Sequence, residues 1–210
     1  MEGIVGISLM KSRLKQQLKK IVQPAIRLLK PSASIPAKPI SNNWGAERGT
    51  PLGRHFIDEF MKGHQSDVTG VVLEIKNKRY SDSLGHNIER ADVLDVDESN
   101  GDANIYADLA AADIVPSDSY DCFMVNETLQ FVYDLEAAAK HMHRVLKPNG
   151  VLLVSVPCTV QHDIELKDVE MWRFTKNSCQ KLFGDVFGSE QVSVECYGNF
   201  QTCTSALAGV

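Results

Sequence analysis

Short apolar runs alternate with amphipathic stretches through most of this chain. Gly70–Ile75 (GVVLEI) reads as a buried strand, followed by further strands at Asn87–Ala91, Asn104–Ala107 and Tyr120–Val125 (YDCFMV). Val151–Val156 (VLLVSV) is the most apolar of them, closed by Pro157, and Gln191–Tyr197 reads as a last strand. Between them, helical spacing marks Leu52–Lys62, Leu135–Leu146 and Thr175–Phe183, the second stopped by Lys147-Pro148-Asn149-Gly150. Strands alternating with helices predict an α/β fold: a doubly wound, mostly parallel, Rossmann-like sheet in a single domain.

The first 40 residues follow another pattern. Leu14, Leu18, Ile21, Val22, Ala25, Ile26 and Leu29 recur at helical spacing over residues 8–30, with Lys11, Lys15, Lys19 and Lys20 between them and Pro24 as a kink. A proline-rich linker, PSASIPAKP, follows at 31–39, so the predicted organisation is an extension over 1–40 and a folded domain over 41–210. Charge divides the same way. The whole 210-residue chain carries −5, but residues 1–40 hold eight Lys/Arg against Glu2 alone, +7, leaving −12 for the remainder. An acidic body argues against nucleic acid as a partner. The basic segment has three readings: a peripheral contact with an anionic membrane surface, a dock for a partner enzyme, or a solvated tail.

Five cysteines, an odd number with no C-x-x-C pair, suggest neither a disulfide framework nor a metal site. Together with the lack of a ~20-residue apolar span or a signal-peptide order, they lead us to expect a cytoplasmic protein.

Ligands of open α/β sheets bind beyond the carboxyl ends of the strands. Strand one ends at Glu74 and Ile75, followed by Lys76-Asn77-Lys78-Arg79-Tyr80; Asp92 and Val93 follow strand two; Asp108 and Leu109 follow strand three. Asn126-Glu127-Thr128 follows strand four, and His162 lies beyond strand five. A carboxylate after strand two suits a ribose diol, since it accepts two hydroxyl hydrogen bonds. Asn126 or Thr128 equally suits a cap on the next helix.

These segments, taken in order, resemble the class I S-adenosylmethionine-dependent methyltransferases: GVVLEI (70–75), Asp92, IYADLA (105–110), YDCFMVNETLQFVYD (120–134) and HRVLKPNGVLLVSVP (143–157). ERGTPLGRHFIDEF (47–60), EIKNKRYSDSLG (74–85), MWRFT (171–175) and YGN (197–199) are similar to a bacterial subgroup associated with glycosyltransferases and polysaccharide genes. The resemblance implies S-adenosyl-L-methionine as cofactor and a small-molecule or glycan acceptor, methylated on oxygen. It implies cofactor contacts from Glu74, Ile75, Lys76, Tyr80, Asp92, Val93, Asp108, Leu109 and Asn126. His162 or Glu127 would be the catalytic base, Trp172 and Arg173 would touch the acceptor, and residues 8–30 would meet a glycosyltransferase or the inner membrane surface.

Two departures stand out. Lys76 occupies a place where the family is glycine-rich, where it either pairs with the methionyl carboxylate or repels the sulfonium; a cofactor-impaired scaffold of a glycan-assembly system is therefore the alternative reading. The family also closes its sheet with two more strands, while this sequence stops at Val210, so either it is a truncated piece or a short last strand comes from 200–207. A nucleotide-binding oxidoreductase is disfavoured, since no G-x-G-x-x-G follows strand one.

Overall fold

Alternate residues of the central strands face opposite ways, and each face finds its own helices. The computed structural model describes residues 38–209; the basic stretch at 8–30 and most of the proline-rich linker lie outside them. Five strands, β1 (Gly70–Ile75), β2 (Ile88–Asp95), β3 (Ile105–Tyr106), β4 (Tyr120–Asn126) and β5 (Leu146–Ser155), form one sheet in the order β3-β2-β1-β4-β5. Every pairing is parallel.

Leu73, Leu94, Phe123 and Val125 pack against α3 (Leu135–Val145) and α4 (Lys176–Phe187) through Ala138, Met142, Cys179 and Phe183. On the other face, Val72, Cys122, Met124 and Leu153 meet Ile57 and Met61 of α1 (Leu52–Gly63) and Tyr80 of α2 (Arg79–Leu84). This is a doubly wound Rossmann-like sheet. The chain lays β1, β2 and β3 outward in one direction, then returns to put β4 on the free side of β1. The crevice between β1 and β4 is the switch in strand order.

Several boundaries differ from the sequence reading, among them the helix expected to end at Phe183, which runs to Phe187. β2 runs on to Asp95, beyond the expected end at Ala91, because the polar side chain of Asp92 finds partners inside the fold. Lys147–Gly150 belongs to β5 as a bulge: Leu146 pairs with Tyr120 and Val151 with Cys122, and Asn149 takes φ 65°. The strand expected at Gln191–Tyr197 makes no ladder; its alternating Val192 and Val194 pack on the α3/α4 core instead. Residues 200–207, weighed as a strand, lie in helix α5 (Phe200–Ala208), started by a capping box of Asn199 and Thr202. The Ala208 carbonyl accepts from Ile40 N at 2.7 Å, tying this helix to the start of the domain. No helix among the described residues is long and apolar enough to cross a membrane.

Candidate active site

The end of β1 is built by a carboxylate turned back into the protein. Glu74 shares the α1/α2 face with Val72, and it is 3% exposed. Its oxygens accept from Tyr80 N at 2.9 Å, Ser81 N at 2.9 Å and Ser81 Oγ at 2.7 Å. Burial raises its pKa against the pull of these bonds. Glu74 therefore fixes the first turn of α2 and has little capacity left for a ligand. Lys76 follows with φ 73° and an exposed side chain. Its N–H donates to Leu94 O at 3.0 Å, and its carbonyl accepts from Asn100 Nδ2 at 2.7 Å. A left-handed lysine costs about 1–2 kcal/mol, so the turn keeps a glycine's shape without the glycine. Ile75, the last residue of β1, is half-buried against the α3/α4 core. Tyr80 is buried, and its hydroxyl donates to Asp58 Oδ1 at 2.7 Å and accepts from Arg54 at 3.2 Å.

On β2 the structure moves the strand-end acid. Asp92 lies within the strand, opposite Leu73, and is 7% exposed. It accepts from Tyr120 Oη at 2.9 Å, Asn104 Nδ2 at 2.8 Å and Arg90 Nε at 2.9 Å. Burial and the bond to Asp92 push the Tyr120 hydroxyl up to about 12. Asp92 thus lies inside the strand with three protein donors, and Val93 beside it is fully buried. The residue at the strand's end is Asp95, half-buried and bonded to Asn100 Nδ2 at 2.6 Å. Sequence reasoning missed it because the strand was cut four residues short. After β3, Asp108 is exposed and accepts from Ala110 N at 2.8 Å, whereas Leu109 turns into the core.

Beyond β4 the polar groups gather. Asn126 accepts from Ser155 Oγ at 2.9 Å and lies 3.9 Å from Met61 Sδ, which brings α1 over the β1/β4 crevice. Glu127 follows in a left-handed conformation, φ 48°, with its N–H on Ser155 O at 3.0 Å. Burial lifts its carboxyl to about 7, with Glu170 adding to the rise and the charges of Arg54 and Arg173 opposing it. Gln130 Nε2 lies 3.4 Å from Glu127 Oε2, and Gln130 Oε1 is buried without a partner among the described residues.

The segment after β5 supplies the other wall. Arg173 pairs with Glu170 at 2.6 Å, and His162 Nδ1 bonds the other Glu170 oxygen at 2.8 Å. Burial pushes Glu170 up, but its bonds to Arg173 and His162 outweigh that and hold it below the usual range. The His162 side chain is 73% exposed, so it reaches the cluster only through Glu170. Trp172 is partly exposed, donates from Nε1 to Val132 O at 2.9 Å, and lies beside Tyr133 with ring centroids 6.5 Å apart. Gln161 Nε2, next to this wall, is also buried without a partner among the described residues.

A hollow of about 560 Å³ opens beside the ends of β1 and β2, lined by Asn77, Lys78, Arg79, Asp82, Gly101 and Asp102. Carboxylates at the ends of β2 and β3 offer acceptors for sugar hydroxyls and an amino group. The crevice by β4 adds a cation, an amide and orphaned polar atoms. That donor set fits a zwitterionic adenosyl ligand laid across the strand ends.

A parallel sheet in the order β3-β2-β1-β4-β5 is a doubly wound Rossmann-like core, the one on which class I methyltransferases are built. The chain belongs to the methyltransferase domain family, whose model matches residues 47–185; it is an enzyme, and S-adenosylmethionine is its cofactor. Among solved structures it is similar to the YcgJ protein of Bacillus subtilis, at 15% identity and TM-score 0.50, over 62% of this chain and 67% of that one. It is also similar to a SAM-dependent methyltransferase from Archaeoglobus fulgidus, at 9% identity and TM-score 0.50, over 63% and 68% of the two chains. At those identities the likeness concerns the fold. A search of curated proteins finds no match.

Proposed function

We propose that this methyltransferase alkylates a hydroxyl oxygen of a small-molecule or glycan acceptor, with Glu127 as general base. The observation that carries the reading is the Glu127 carboxyl, held by a left-handed backbone at the end of β4 and lifted to about 7. A base whose pKa sits near the working pH is the one best matched to proton removal from an alcohol. Bound S-adenosylmethionine supplies a methyl group on a sulfonium, open to in-line displacement.

The chain's own residues do the rest. Asp95 and Asp108 accept from the ribose and adenine sides, Ile75 and the Lys76 turn support the cofactor from β1, and Asn126 borders its methionyl end. Glu127 takes the acceptor proton. Trp172 and Tyr133 offer an aromatic surface for the apolar face of a sugar ring, while Arg173 fixes Glu170 and with it His162. Such a site works mainly by positioning and by excluding water. The excess of basic residues in 1–40 supports a peripheral contact of residues 8–30 with an anionic membrane surface or a glycosyltransferase.

The test is S-adenosylhomocysteine release in the presence of polyol, monosaccharide, phenol and amine acceptors. Turnover confined to hydroxyl acceptors, lost in Glu127→Gln, supports the reading; turnover confined to amines refutes it.

A further inference from the structure

Gln130 is a buried amide with part of its hydrogen-bonding capacity idle. The residue is 4% exposed. Its Nε2 lies 3.4 Å from Glu127 Oε2, a long contact, and its Oε1 is buried with no partner among the described residues. An ionised carboxylate only accepts, so the amide turns its N–H groups to Glu127 and its carbonyl oxygen away. A buried oxygen left unsatisfied destabilises the fold, and an apolar side chain of the same shape would remove the penalty. Folding alone therefore does not account for a glutamine at this position.

Its surroundings point to a ligand. Gln130 sits in the short turn Leu129–Phe131 that follows β4. Its main-chain carbonyl accepts from Met171 N at 2.7 Å, which lays the segment after β5 over it. Residues 157–173 carry no helix or strand, and Ile164, Leu166, Val169 and Met171 stand exposed along them. Lifting this segment uncovers little core, the mark of a part of the fold that opens readily. A second orphan, Gln161 Nε2, belongs to the same segment. One idle acceptor and one idle donor thus make its contact with the end of β4 polar and incomplete.

We propose that Gln130 selects the acceptor: its side-chain oxygen accepts from a second hydroxyl, on the carbon next to the one methylated, so that the substrates are vicinal diols of sugars or polyols. The inference rests on the reading of Glu127 as the base for a hydroxyl acceptor and names the substrate class of that site. Glu127 and Gln130, joined by one contact, offer two acceptor oxygens side by side. The proton of the reacting hydroxyl passes to Glu127, and the methyl group passes from sulfur to the acceptor oxygen. Gln130 holds the neighbouring hydroxyl and so fixes which oxygen is methylated. The acceptor enters as residues 157–173 lift. A monohydric alcohol or a phenol leaves Gln130 unpaired, and a site built for a hydroxyl rejects an analogue that lacks it.

Two measurements on the full chain and its Gln130→Met variant test this. The first is thermal unfolding of the free protein. Methionine fills the space of glutamine without the orphan oxygen, so Tm should rise or stay within about 3 °C of wild type. A larger fall would show that the fold itself uses that oxygen, and would overturn the proposal. The second is S-adenosylhomocysteine release with vicinal cyclohexanediol, in its cis and trans forms, and with cyclohexanol. In the wild type, kcat/KM for the better diol should exceed that for cyclohexanol by about tenfold or more. Gln130→Met should lower the diol value by roughly 10- to 100-fold and the cyclohexanol value by less than about threefold, bringing the two together. Equal losses for both, or a wild type indifferent to the second hydroxyl, would overturn the proposal. Turnover confined to amines would remove the hydroxyl reading itself, a result distinct from turnover of alcohols without preference for diols.

Discussion

Replacing the two aspartates of β2 separately by alanine should split stability from cofactor affinity. Asp92→Ala removes the acceptor of the Tyr120 hydroxyl at 2.9 Å, and that tyrosine is 2% exposed. Its other two donors, Asn104 and Arg90, are exposed and turn to water. The cost is one stranded buried hydroxyl, about 1–3 kcal/mol, and a small void. At about 2–4 °C per kcal/mol for a unit of this size, Tm should fall by roughly 2–12 °C. Asp95→Ala releases Asn100 and the Asp97 N–H, both close to solvent, so its stability cost should stay under about 1 kcal/mol. Its loss shows instead in binding: one or two charge-assisted bonds to ribose hydroxyls, at about 1.5–3 kcal/mol each, correspond to at least a tenfold weakening. Thermal unfolding and calorimetric titration with S-adenosylhomocysteine read the two effects. The reverse pattern, with Asp92→Ala folded and cofactor-blind and Asp95→Ala unstable, would refute the placement of the ribose at the strand's end.

Other outcomes follow from single side chains. Turnover should rise with pH through a single ionisation near 7, the value for Glu127, and Glu127→Gln should flatten that limb and lower kcat by about 10²-fold or more; a limb that survives the substitution assigns the base elsewhere. The same carboxyl is raised above its unfolded value, so its contribution to stability is full below about 4.5 and is lost as pH climbs toward 7. Wild-type Tm should therefore decline relative to Glu127→Gln across that window. His162→Ala should keep kcat within about fivefold and retain the ionisation, since the ring is solvent-exposed and bonded to Glu170; a collapse of activity would restore it as the base. Lys76→Gly relieves a left-handed lysine and should leave stability unchanged or up to about 1 kcal/mol more favourable, the relief outweighing the flexibility gained by the unfolded chain. A clear drop in Tm would show that the lysine side chain holds the turn.

What the sequence disclosed depended on how strongly each segment states its period. β1 and β4 are continuous apolar runs and were legible nearly to the residue, as were α1 and α3 with their amphipathic spacing. β2 was misjudged because Asp92 looks like an ending; a strand tolerates a carboxylate when donors from other elements meet it, and Tyr120 lies 28 positions away. The failure of 191–197 to join the sheet is similar: alternation describes a face that packs, and packing on the α3/α4 core satisfies it without a ladder. α5 left a local trace in its Asn199/Thr202 capping box, obscured by a β-favouring composition. At the site, the acids near strand ends were visible, but their directions were not. Only the fold shows Glu74 turned onto α2 and Asp95 at the edge.

A crystal structure of the chain with S-adenosylhomocysteine bound addresses the central claim most directly. The account predicts the ribose hydroxyls on Asp95 and the sulfur beside the β1/β4 crevice, facing Glu127. Density for the ligand away from the carboxyl ends of the strands, or a ribose held by Asp92, would contradict it.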